Sequence, residues 1–236
     1  MSSFSATKPT KPDAPPPFQP LEPVLVSLEG NIGAGKSTLL RELQLLRPDW
    51  RFVPEPVDVW LSFKSETGES LLEAFYRDPS RWAYTFQNCA LLTRYLAIEA
   101  AVGAARASGA SGRQLFITER SLDTDRHVFT KVLEGDGSLG VMERDMQARC
   151  FEAARAASTP LSAIVHLATG PSVCAQQIAA RGREGEEGIS LPYLQKLSRL
   201  HQAWIEGPKA PAAVLEVQDS GDVDVALAFL DALLSK

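Results

Sequence analysis

The sequence has few cysteines, no long apolar run and no cluster of positive charge. Cys89, Cys150 and Cys174 are odd in number, widely spaced and embedded in apolar stretches, which argues against a disulfide framework or a zinc site and indicates buried, reduced thiols. No segment reaches the ~18 consecutive apolar residues that a transmembrane helix requires, and the N-terminus lacks the basic flank and apolar core of a secretory signal. We therefore expect an intracellular protein that does not bind a membrane, with the cytoplasm preferred over an organelle.

Positive charge is neither abundant nor concentrated. Lys and Arg number 24 against 29 Asp and Glu, for a net charge of -5, and they are scattered along the chain. Tight binding to a nucleic-acid polymer depends on a basic surface that neutralises backbone phosphates. The composition therefore argues against a nucleic-acid polymer as a partner, and any nucleotide that binds is expected to be small.

The first 23 residues contain seven prolines and almost no large apolar side chains. Such a segment cannot bury enough apolar surface to offset the entropy of ordering, so residues 1–23 are predicted to form a flexible tail. The tail has no Arg, and its prolines exclude an amphipathic targeting helix. Residues 24–236 are predicted to form the single folded domain.

From residue 24 onward, short apolar runs alternate with longer helical patterns. The apolar runs cover residues 24–28, 115–118, 163–167 and 213–217, with a shorter candidate at 51–53. Helical patterns begin near residues 36, 70, 80, 123, 141, 171, 191 and 222, and the pattern over 80–107 predicts one long helix. Apolar strands separated by helices are typical of a parallel sheet with helices on both faces. The predicted fold class is α/β with a five-stranded parallel sheet.

A phosphate-binding motif follows the first predicted strand. The residues Gly30-Asn31-Ile32-Gly33-Ala34-Gly35-Lys36-Ser37 match the pattern GxxxxGK[ST] and open a predicted helix. Glycines let backbone N–H groups wrap around phosphate oxygens, and the helix N-terminus adds positive potential. In this pattern the lysine contacts the β- and γ-phosphates and the serine hydroxyl binds Mg²⁺. The motif predicts a nucleoside triphosphate and Mg²⁺, but it does not identify the phosphate acceptor.

Glu55 lies just past the second predicted strand, at the edge of a parallel sheet where ligands bind. A carboxylate there is a candidate general base for an attacking hydroxyl. Trp60 follows it closely and could wall a pocket for a planar group. On these residues alone, an ordinary loop acid at Glu55 stays open as the alternative.

Glu119 and Arg120 follow the third predicted strand and are expected at the same edge. Glu119 could hold Mg²⁺ through water, and Arg120 could bind the transferring phosphate or orient the base. A structural ion pair between the two is the alternative interpretation.

A glycine-rich charged segment follows the end of the helix that is predicted to begin near residue 171. It reads Arg181-Gly182-Arg183-Glu184-Gly185-Glu186-Glu187-Gly188. The segment is too charged for a core, so we predict a lid whose arginines stabilise a transferring phosphoryl group and exclude water. A solvated loop is the alternative.

Several aromatic and polar residues on two predicted helices are candidates for an acceptor pocket: Tyr76, Trp82, Tyr84, Phe86, Gln87 and Arg94. Most aromatics at helical spacing pack in a core, whereas an amide such as Gln87 can pair bidentately with a nucleobase edge. The three histidines His127, His166 and His201 lack the spacing of a metal site or a catalytic triad and are predicted to be structural.

Together these motifs resemble the deoxyribonucleoside kinases of the deoxycytidine and deoxyguanosine kinase type, over essentially everything from residue 24 onward. The matching segments are Glu29 to Thr38, Glu55-Pro56-Val57, Arg81-Trp82 with Phe86-Gln87, Glu119-Arg120-Ser121, Arg181-Gly182-Arg183 and Gly188-Ile189-x-Leu191-x-Tyr193-Leu194. The resemblance implies a P-loop kinase fold with a lid, transfer of the γ-phosphate of ATP to the 5′-hydroxyl of a deoxynucleoside, and a homodimer built through helices.

The resemblance also implies a role for each matching residue. Glu55 would take the 5′-hydroxyl proton with Arg120 beside it, and Lys36, Arg181 and Arg183 would stabilise the transferring phosphate. Ser37 and Glu119 would hold Mg²⁺, within a donor site formed by Gly30 to Thr38. Tyr76 and Glu186 would hold the sugar 3′-hydroxyl, and Gln87 would read the base between Trp60, Phe86 and Phe129.

Arg94 and Asp125 match a pair found in relatives that accept purines and cytidine. Such a pair next to a base that carries an amino group could favour adenine, cytosine or guanine over thymine, whose methyl group needs apolar room. We therefore expect purine deoxynucleosides or deoxycytidine, rather than thymidine, as the preferred substrates.

The sequence departs from the family pattern at the lid. Gln177 stands where many relatives carry an additional lid arginine, and Glu187 stays possible in place of Glu186 for the sugar contact. The loop at residues 218–222, where relatives contact the donor base, does not decide between ATP and other triphosphates. For the dimer contact, the expected residues on the long helix are Leu91, Leu92, Tyr95 and Ile98.

Two other functions share parts of this pattern. A nucleoside monophosphate kinase has the same loop, sheet and lid, but it needs additional cationic groups for the acceptor phosphate. A nucleotide-dependent switch would hydrolyse slowly without an acceptor, but the chain has no guanine-specificity motif of the NKxD type. The deoxynucleoside kinase is the preferred interpretation.

Overall fold

A computed structural model describes residues 19–183, 185–211 and 213–235 of the chain, so residues 1–18 of the predicted tail and Glu184 of the predicted lid lie outside it. Five strands in the described part form one parallel sheet in the order β2-β3-β1-β4-β5. The strands are β1 (Leu21–Gly30), β2 (Arg51–Val53), β3 (Gly112–Glu119), β4 (Leu161–Leu167) and β5 (Ala213–Val217). The predicted α/β class and the five predicted strands are confirmed.

The helices alternate with the strands. They are α1 (Lys36–Leu46), α2 (Val57–Ser62), α3 (Leu71–Arg77), α4 (Pro79–Ala107), α5 (Leu122–Thr124), α6 (Thr130–Gly135), α7 (Val141–Ala157), α8 (Pro171–Arg181), α9 (Leu191–Ile205) and α10 (Val223–Leu234), with a π-helical turn at Asp125–Phe129. The single long helix α4 is confirmed; Asp78 caps its N-terminus and Pro79 occupies its first turn. Neither α2 nor the π-helical turn was predicted.

Alternate side chains of the central strands are buried on opposite faces of the sheet. On one face, Leu25 and Phe116 pack with Ile98 and Val102 of α4. On the other face, the neighbouring residues of β1 and β3 belong to the main core, which includes apolar residues of α1, α8, α9 and α10. Successive side chains of a strand point to opposite faces, so the apolar runs are continuous because both faces are covered.

Strand β1 begins at Leu21, earlier than the predicted start at residue 24. Over its first residues β1 pairs only with β3, and pairing with β4 starts at Leu25. A proline has no N–H to donate, so it is tolerated where one side of a strand has no partner. Pro23 lies in this one-sided segment, and the proline-rich composition therefore does not end at the start of the sheet.

The sheet places the carboxyl ends of three strands side by side. Leu28 of β1 is level with Glu119 of β3, and Val53 of β2 is level with Thr118. The segments that follow these strands carry the phosphate-binding motif, Glu55 and Arg120. The register therefore brings the three charged motifs of the sequence to one edge.

The cysteines are free thiols, with Cys174 buried and Cys89 and Cys150 partly buried. Burial raises the pKa of Cys89 and Cys174 above the ordinary thiol value. In the described part of the chain, no helix is both long enough and apolar enough to cross a membrane.

Candidate active site

The phosphate-binding loop is closely packed between the end of β4 and helix α8. Gly30 and Gly33 have φ angles of 138° and 76°. A Cβ atom on Gly30 would lie 2.7 Å from the carbonyl oxygen of Leu167, and one on Gly33 would lie 2.6 Å from that of Cys174. Only glycine fits both the backbone conformation and the space, so the loop geometry depends on these two residues.

Lys36 is buried at the start of α1, and its Nζ donates to the carbonyl oxygen of Asn31 over 2.8 Å. Burial, helped by the nearby charge of Arg120, lowers the pKa of Lys36 to about 8, against the opposing effect of Glu119 and Glu55. A phosphate bound in the loop would supply further negative charge and stabilise the protonated amine. Binding of an anion in the loop is therefore expected to raise the pKa of Lys36.

Ser37 and Glu119 meet at the base of the loop. The Ser37 hydroxyl lies 2.9 and 3.0 Å from the two carboxylate oxygens of Glu119 and donates to them. Hydroxyl and carboxylate oxygens are the hard ligands that Mg²⁺ prefers in proteins. The pair joins the first turn of α1 to the end of β3, next to the phosphate-binding loop.

Glu55 lies between two arginines. Its Oε1 is 3.1 Å from Arg94 Nη2 and 3.1 Å from Arg120 Nε. Burial by itself would raise the pKa of Glu55, but the positive charges of Arg120, Arg94 and Lys36 outweigh it and hold the pKa below its usual range. The carboxylate is therefore ionised at neutral pH, and it lies between the phosphate-binding loop and the deeper part of the cavity.

Arg94 is 2 % exposed and uses most of its donors. Its Nε donates to Asp125 Oδ2 over 3.0 Å, and its Nη1 donates to the Glu119 carbonyl oxygen over 2.9 Å. Burial raises the pKa of Asp125, although Arg94 opposes that rise. Arg94 thus connects Asp125, the end of β3 and Glu55 in one buried network.

A cavity of about 470 Å³ lies beside these charges. Phe86 forms an edge-to-face contact with Trp60, with ring centroids 5.3 Å apart, and stacks on Phe75 at 4.5 Å. Trp60 is oriented by its Nε1, which donates to Thr93 Oγ1 over 2.9 Å. Gln87 lines the same cavity, is 1 % exposed, and has no hydrogen-bond partner on its Oε1. The cavity therefore combines aromatic walls with a buried amide, as a small planar ligand requires.

The lid segment reaches the cavity through Glu186, which is buried although it lies in a charged loop. Arg181 Nη2 and Arg183 Nη1 lie 2.5 and 3.1 Å from its carboxylate oxygens. Tyr76 lies close to it, and burial raises the pKa of Tyr76 far above the ordinary value, so its hydroxyl stays protonated. Glu187 is exposed and does not line the cavity. Geometry thus favours Glu186 in the register that the sequence left open.

The cavity brings together every residue to which the resemblance assigned an acceptor-side role, whereas the candidates Trp82 and Tyr84 pack against the core and do not line it. The residues brought together are Glu55, Trp60, Tyr76, Phe86, Gln87, Arg94, Arg120, Asp125, Phe129 and Glu186, joined by Lys36, Ser37, Glu119, Arg181 and Arg183. Phe75 and Tyr193 also line it but were given no role. Phe75 could have been found from its position next to Tyr76 on a predicted helix, whereas Tyr193 was part of a matched motif.

Comparison with known proteins identifies the family. The profile of the family described as Deoxynucleoside kinase matches residues 26–227. Deoxycytidine kinase 2 of Gallus gallus is 35% identical over 196 residues, 76% of this chain and 73% of that protein. Deoxycytidine kinase of Homo sapiens is 34% identical over 199 residues, and mitochondrial deoxyguanosine kinase of Xenopus laevis is 32% identical over 195 residues; each alignment covers 76% of this chain, and 74% and 72% of the respective relatives.

The chain belongs to the deoxynucleoside kinase family. The resemblance inferred from the motifs is confirmed, and with it the P-loop kinase fold and the kinase activity toward deoxynucleosides. ATP is the phosphate donor expected of this family. The cavity at the carboxyl edge of the sheet is the place in the described structure where the residues predicted for the donor and for the acceptor lie together.

The segment after β5 lies against the loop that is predicted to bind the donor. Thr169 Oγ1 donates to the carbonyl oxygens of Ala34 and Gln218, at 3.0 and 3.2 Å. A Cβ on Gly35 would lie 3.2 Å from Ser220. The loop at residues 218–222 therefore packs against the phosphate-binding loop, next to the position expected for the donor.

One expectation about the long helix is wrong in part. Leu91 and Ile98 are buried within the chain, Leu91 in the apolar cluster that contains Phe151 of α7. Leu92 is exposed, together with Leu96. A helix that is apolar on most sides leaves the choice of exposed face to its tertiary neighbours, and α7 covers Leu91.

The histidines are placed in packing positions. His166 Nδ1 lies 3.3 Å from Glu216 Oε2, and the His166 ring stacks on that of His201 with the ring centroids 6.0 Å apart. His127 stacks on Trp204, and burial lowers its pKa to about 4, with positive charges nearby acting in the same direction. None of the three lines the cavity.

Proposed function

We propose that the protein transfers the γ-phosphoryl group of ATP to the 5′-hydroxyl of a deoxynucleoside, with Glu55 receiving the hydroxyl proton. The 5′-oxygen forms a bond to the γ-phosphorus while the bond from that phosphorus to the β–γ bridging oxygen breaks, and ADP leaves. The observation that carries the proposal is the position of Glu55, whose carboxylate lines the cavity between the phosphate-binding loop and the aromatic walls.

Electrostatics support this assignment. The two arginines keep Glu55 ionised, so it can accept a hydrogen bond from the incoming hydroxyl without first losing a proton. Phosphoryl transfer proceeds through a loose transition state in most analyses, so orientation of the nucleophile matters more than strong basicity. Fixing the carboxylate between two guanidinium groups supplies that orientation.

Ser37 and Glu119 would hold Mg²⁺ in this proposal. The described residues contain no group of three or more His, Cys, Asp and Glu side chains suited to a metal, but Mg²⁺ on a nucleotide commonly takes one or two protein ligands and completes its shell with phosphate and water. The hydroxyl and carboxylate oxygens present fit that donor set. When bound, the ion would neutralise charge on the phosphates.

Arg181 and Arg183 would stabilise the transferring phosphoryl group from the lid. Both line the cavity and both bind Glu186. The same carboxylate, with Tyr76, is proposed to hold the sugar 3′-hydroxyl, which would favour deoxyribose bound in one orientation. Gln177, on α8, would not replace a third arginine, so the lid would act with two.

The ion pairs of the cavity favour a nucleoside over a nucleoside monophosphate. Arg94 and Arg120 are both paired with Glu55, and Arg181 and Arg183 are both paired with Glu186. An acceptor phosphate would compete with Glu55 and Glu186 for these arginines. A neutral acceptor leaves these ion pairs intact.

For the base, we propose deoxycytidine or purine deoxynucleosides over thymidine. Gln87 Oε1 lacks a partner and could accept from an amino group, and Asp125 is a further acceptor in the cavity wall. A thymine methyl group directed at the Arg94–Asp125 pair would meet charge rather than apolar side chains. Relatives named deoxycytidine kinase and deoxyguanosine kinase agree with this preference.

We also propose a homodimer formed through α4 and α7, which pack against each other. Leu92 and Leu96 of α4 and Met142 and Met146 of α7 are exposed apolar side chains, and contiguous exposed apolar surface is typical of a protein interface. Sedimentation equilibrium of wild type and of Leu92→Glu/Leu96→Glu tests this: a dimer that dissociates in the variant is expected, and a wild-type monomer would contradict it.

Other predictions stay as they were made from the sequence. They are a flexible tail before the kinase domain, a cytoplasmic location, and the absence of a nucleic-acid polymer or a membrane as a partner. The predicted boundary between a tail at 1–23 and a domain at 24–236 is corrected, because Leu21 to Pro23 belong to β1.

The test of the proposed reaction is the variant Glu55→Gln, which keeps the shape of the side chain and removes its charge. We expect kcat to fall by roughly 10²–10⁴-fold, while binding of a non-hydrolysable ATP analogue, measured by calorimetry, stays within about threefold. Glu66→Gln, the same change in an exposed loop, is the control and should keep wild-type turnover. Unchanged turnover in Glu55→Gln would show that the proton goes elsewhere.

A further inference from the structure

Three consecutive residues at the end of β1 each bind one group of the segment that follows β3. The carbonyl oxygen of Leu28 accepts from the backbone N–H of Arg120 over 3.0 Å. The carboxylate of Glu29 accepts from the hydroxyl of Ser121 over 2.8 Å. The carbonyl oxygen of Gly30 accepts from Arg120 Nη1 over 2.8 Å. The strand that enters the phosphate-binding loop thus holds the arginine that pairs with Glu55.

Arg120 needs such support because its backbone is strained. Its φ angle is 66°, and no other non-glycine residue in the described ranges has a positive φ. A residue with a side chain adopts this conformation only when its surroundings impose it. Before the Arg120 Cα, its backbone N–H donates to Leu28, and after it, the Ser121 hydroxyl donates to Glu29. These two hydrogen bonds oppose relaxation of the Arg120 backbone to a negative φ.

Glu29 is a buried acid to which the proposed reaction gives no task. It is 0 % exposed and does not line the cavity, so it cannot touch the substrate there. Burial raises its pKa, against the effects of hydrogen bonds from Thr124 and Ser121 and of the charge on Arg120. Its Oε2 has no hydrogen-bond partner, which is costly for a buried carboxyl group. Its contacts with the segment after β3 are through Ser121 and Thr124, and the shorter-range geometry is set by the 2.8 Å hydrogen bond from Ser121.

The Ser121 hydroxyl serves two partners at once. While it donates to Glu29, it also accepts from the backbone N–H of Thr124 at 3.3 Å and so caps α5. Helix α5 leads directly into the π-helical turn that carries Asp125 and Phe129 to the cavity. The orientation of this hydroxyl therefore affects both Arg120, before it, and the turn after it.

We propose that Glu29 is a positioning residue for catalysis: by accepting from the Ser121 hydroxyl it fixes the left-handed backbone of Arg120, and so holds the guanidinium against Glu55. The inference rests on the proposed role of Arg120. In this proposal Glu29 contacts neither ATP nor the nucleoside. Its effect on Arg120 depends on its ability to accept a hydrogen bond and not on its negative charge.

The experiment compares Glu29→Met, which removes the acceptor, with Glu29→Gln, which keeps an Oε1 for Ser121. We expect Glu29→Met to lower kcat by on the order of ten- to a hundredfold through misplacement of Arg120, with both KM values within about threefold of wild type. Glu29→Gln should retain most of the turnover. Thr118→Val is the control, because Thr118 is buried on neighbouring β3 and its hydroxyl has no partner.

The decisive measurement repeats Glu29→Met in an Arg120→Met background. If Glu29 acts through Arg120, the second substitution lowers kcat by less than about twofold there, because the effects of residues that act as a unit are not additive. Equal fold-losses in both backgrounds, or equal losses in Glu29→Gln and Glu29→Met, would overturn the proposal. Wild-type turnover in Arg120→Met alone would instead overturn the assigned role of Arg120, and this inference with it.

Folding is checked by circular dichroism for every variant. If Glu29→Met does not fold, Ser121→Ala takes its place in the same cycle, because it removes the donor of the same hydrogen bond and leaves Glu29 unchanged. The same non-additivity of kcat with Arg120→Met is expected, whereas loss of the α5 cap, which leads to Asp125 and Phe129, should appear in the nucleoside KM. A multiplicative loss of kcat would again contradict the proposal.

Discussion

Arg94 Nη2 lies 3.1 Å from Glu55 Oε1, so one buried guanidinium contacts the proposed proton acceptor. The other side of the same guanidinium binds Asp125. The residues proposed to recognise the base and the proposed proton acceptor therefore share one charged network. Changes in the base pocket are expected to affect stability and turnover together.

Asp125→Ala should destabilise the protein by about 3–5 kcal/mol, because it leaves Arg94 buried with one fewer carboxylate. The double variant Arg94→Met/Asp125→Ala should recover part of this loss, because the buried guanidinium that Asp125→Ala leaves short of a partner is removed as well. Urea unfolding gives the free energies. A double variant less stable than Asp125→Ala would contradict the ion-pair explanation.

The same double variant should change the base preference. With the charged pair replaced by apolar side chains, the thymine methyl group gains room, and kcat/KM for thymidine relative to deoxycytidine should rise by roughly tenfold or more. The ratio is measured with both nucleosides at one ATP concentration. An unchanged ratio would show that the pair does not select the base.

Gln87→Leu should raise KM for deoxycytidine by roughly 10- to 100-fold, since the proposed contact to the base edge is lost. Stability should stay the same or rise, because a buried acceptor without a partner is removed. Gln147→Leu is the matched control: Gln147 is also fully buried and without partners, but lies on α7 away from the cavity. Equal KM values for deoxycytidine in the two variants would show that Gln87 does not contact the base.

The pKa of Lys36 predicts a pH dependence of ATP binding. In the free enzyme burial lowers this pKa to about 8, so the protonated amine is present below that pH and is lost as the pH rises through it. The affinity for a non-hydrolysable ATP analogue, measured by calorimetry from pH 7 to pH 9, should therefore fall in the upper half of the range. Deoxycytidine affinity is the control and should change less. An analogue affinity that is constant across the range would contradict the lowered pKa.

Gly33→Ala should abolish ATP binding and lower the melting temperature, because the new Cβ would lie 2.6 Å from a backbone oxygen. Gly103→Ala is its control: Gly103 lies in α4, and its added Cβ would meet nothing within 4 Å. Alanine in a helix interior should stabilise the protein by roughly 0.5–1 kcal/mol. Both are measured by thermal unfolding with and without ATP, and a stabilising shift by ATP in Gly33→Ala would contradict the loop geometry.

The parts of the fold that the sequence predicts are those with a strong local signal. The strands follow from apolar runs buried on both faces, and the phosphate-binding loop follows from glycines at fixed spacing before Lys36. The short helix α2 (Val57–Ser62) has no side-chain cap and too few turns to show a periodic pattern. The π-helical turn at Asp125–Phe129 likewise depends on tertiary contacts rather than on periodicity.

The positions of the candidate site residues could be predicted to a similar extent, and for related reasons. Glu55 and Arg120 follow strands directly, so their meeting at one edge could be expected from the sheet alone. The hydrogen bond between Ser121 and Glu29 joins residues that are far apart in sequence, and no local sequence pattern predicts a buried hydrogen bond of that kind. The prediction that Leu91 lies on the exposed face of α4 is wrong, because α7 covers Leu91. The sequence of α4 alone does not show which neighbouring helix packs on it.

The most direct test of a nucleoside acceptor is Mg²⁺-dependent ATP consumption by the purified protein, with deoxyadenosine, deoxyguanosine, deoxycytidine, thymidine and their monophosphates compared in parallel. We predict turnover with the nucleosides only, with deoxycytidine or the purine deoxynucleosides above thymidine. Turnover confined to the monophosphates, or equal ATP consumption without any acceptor, would contradict a deoxynucleoside 5′-kinase built around Glu55.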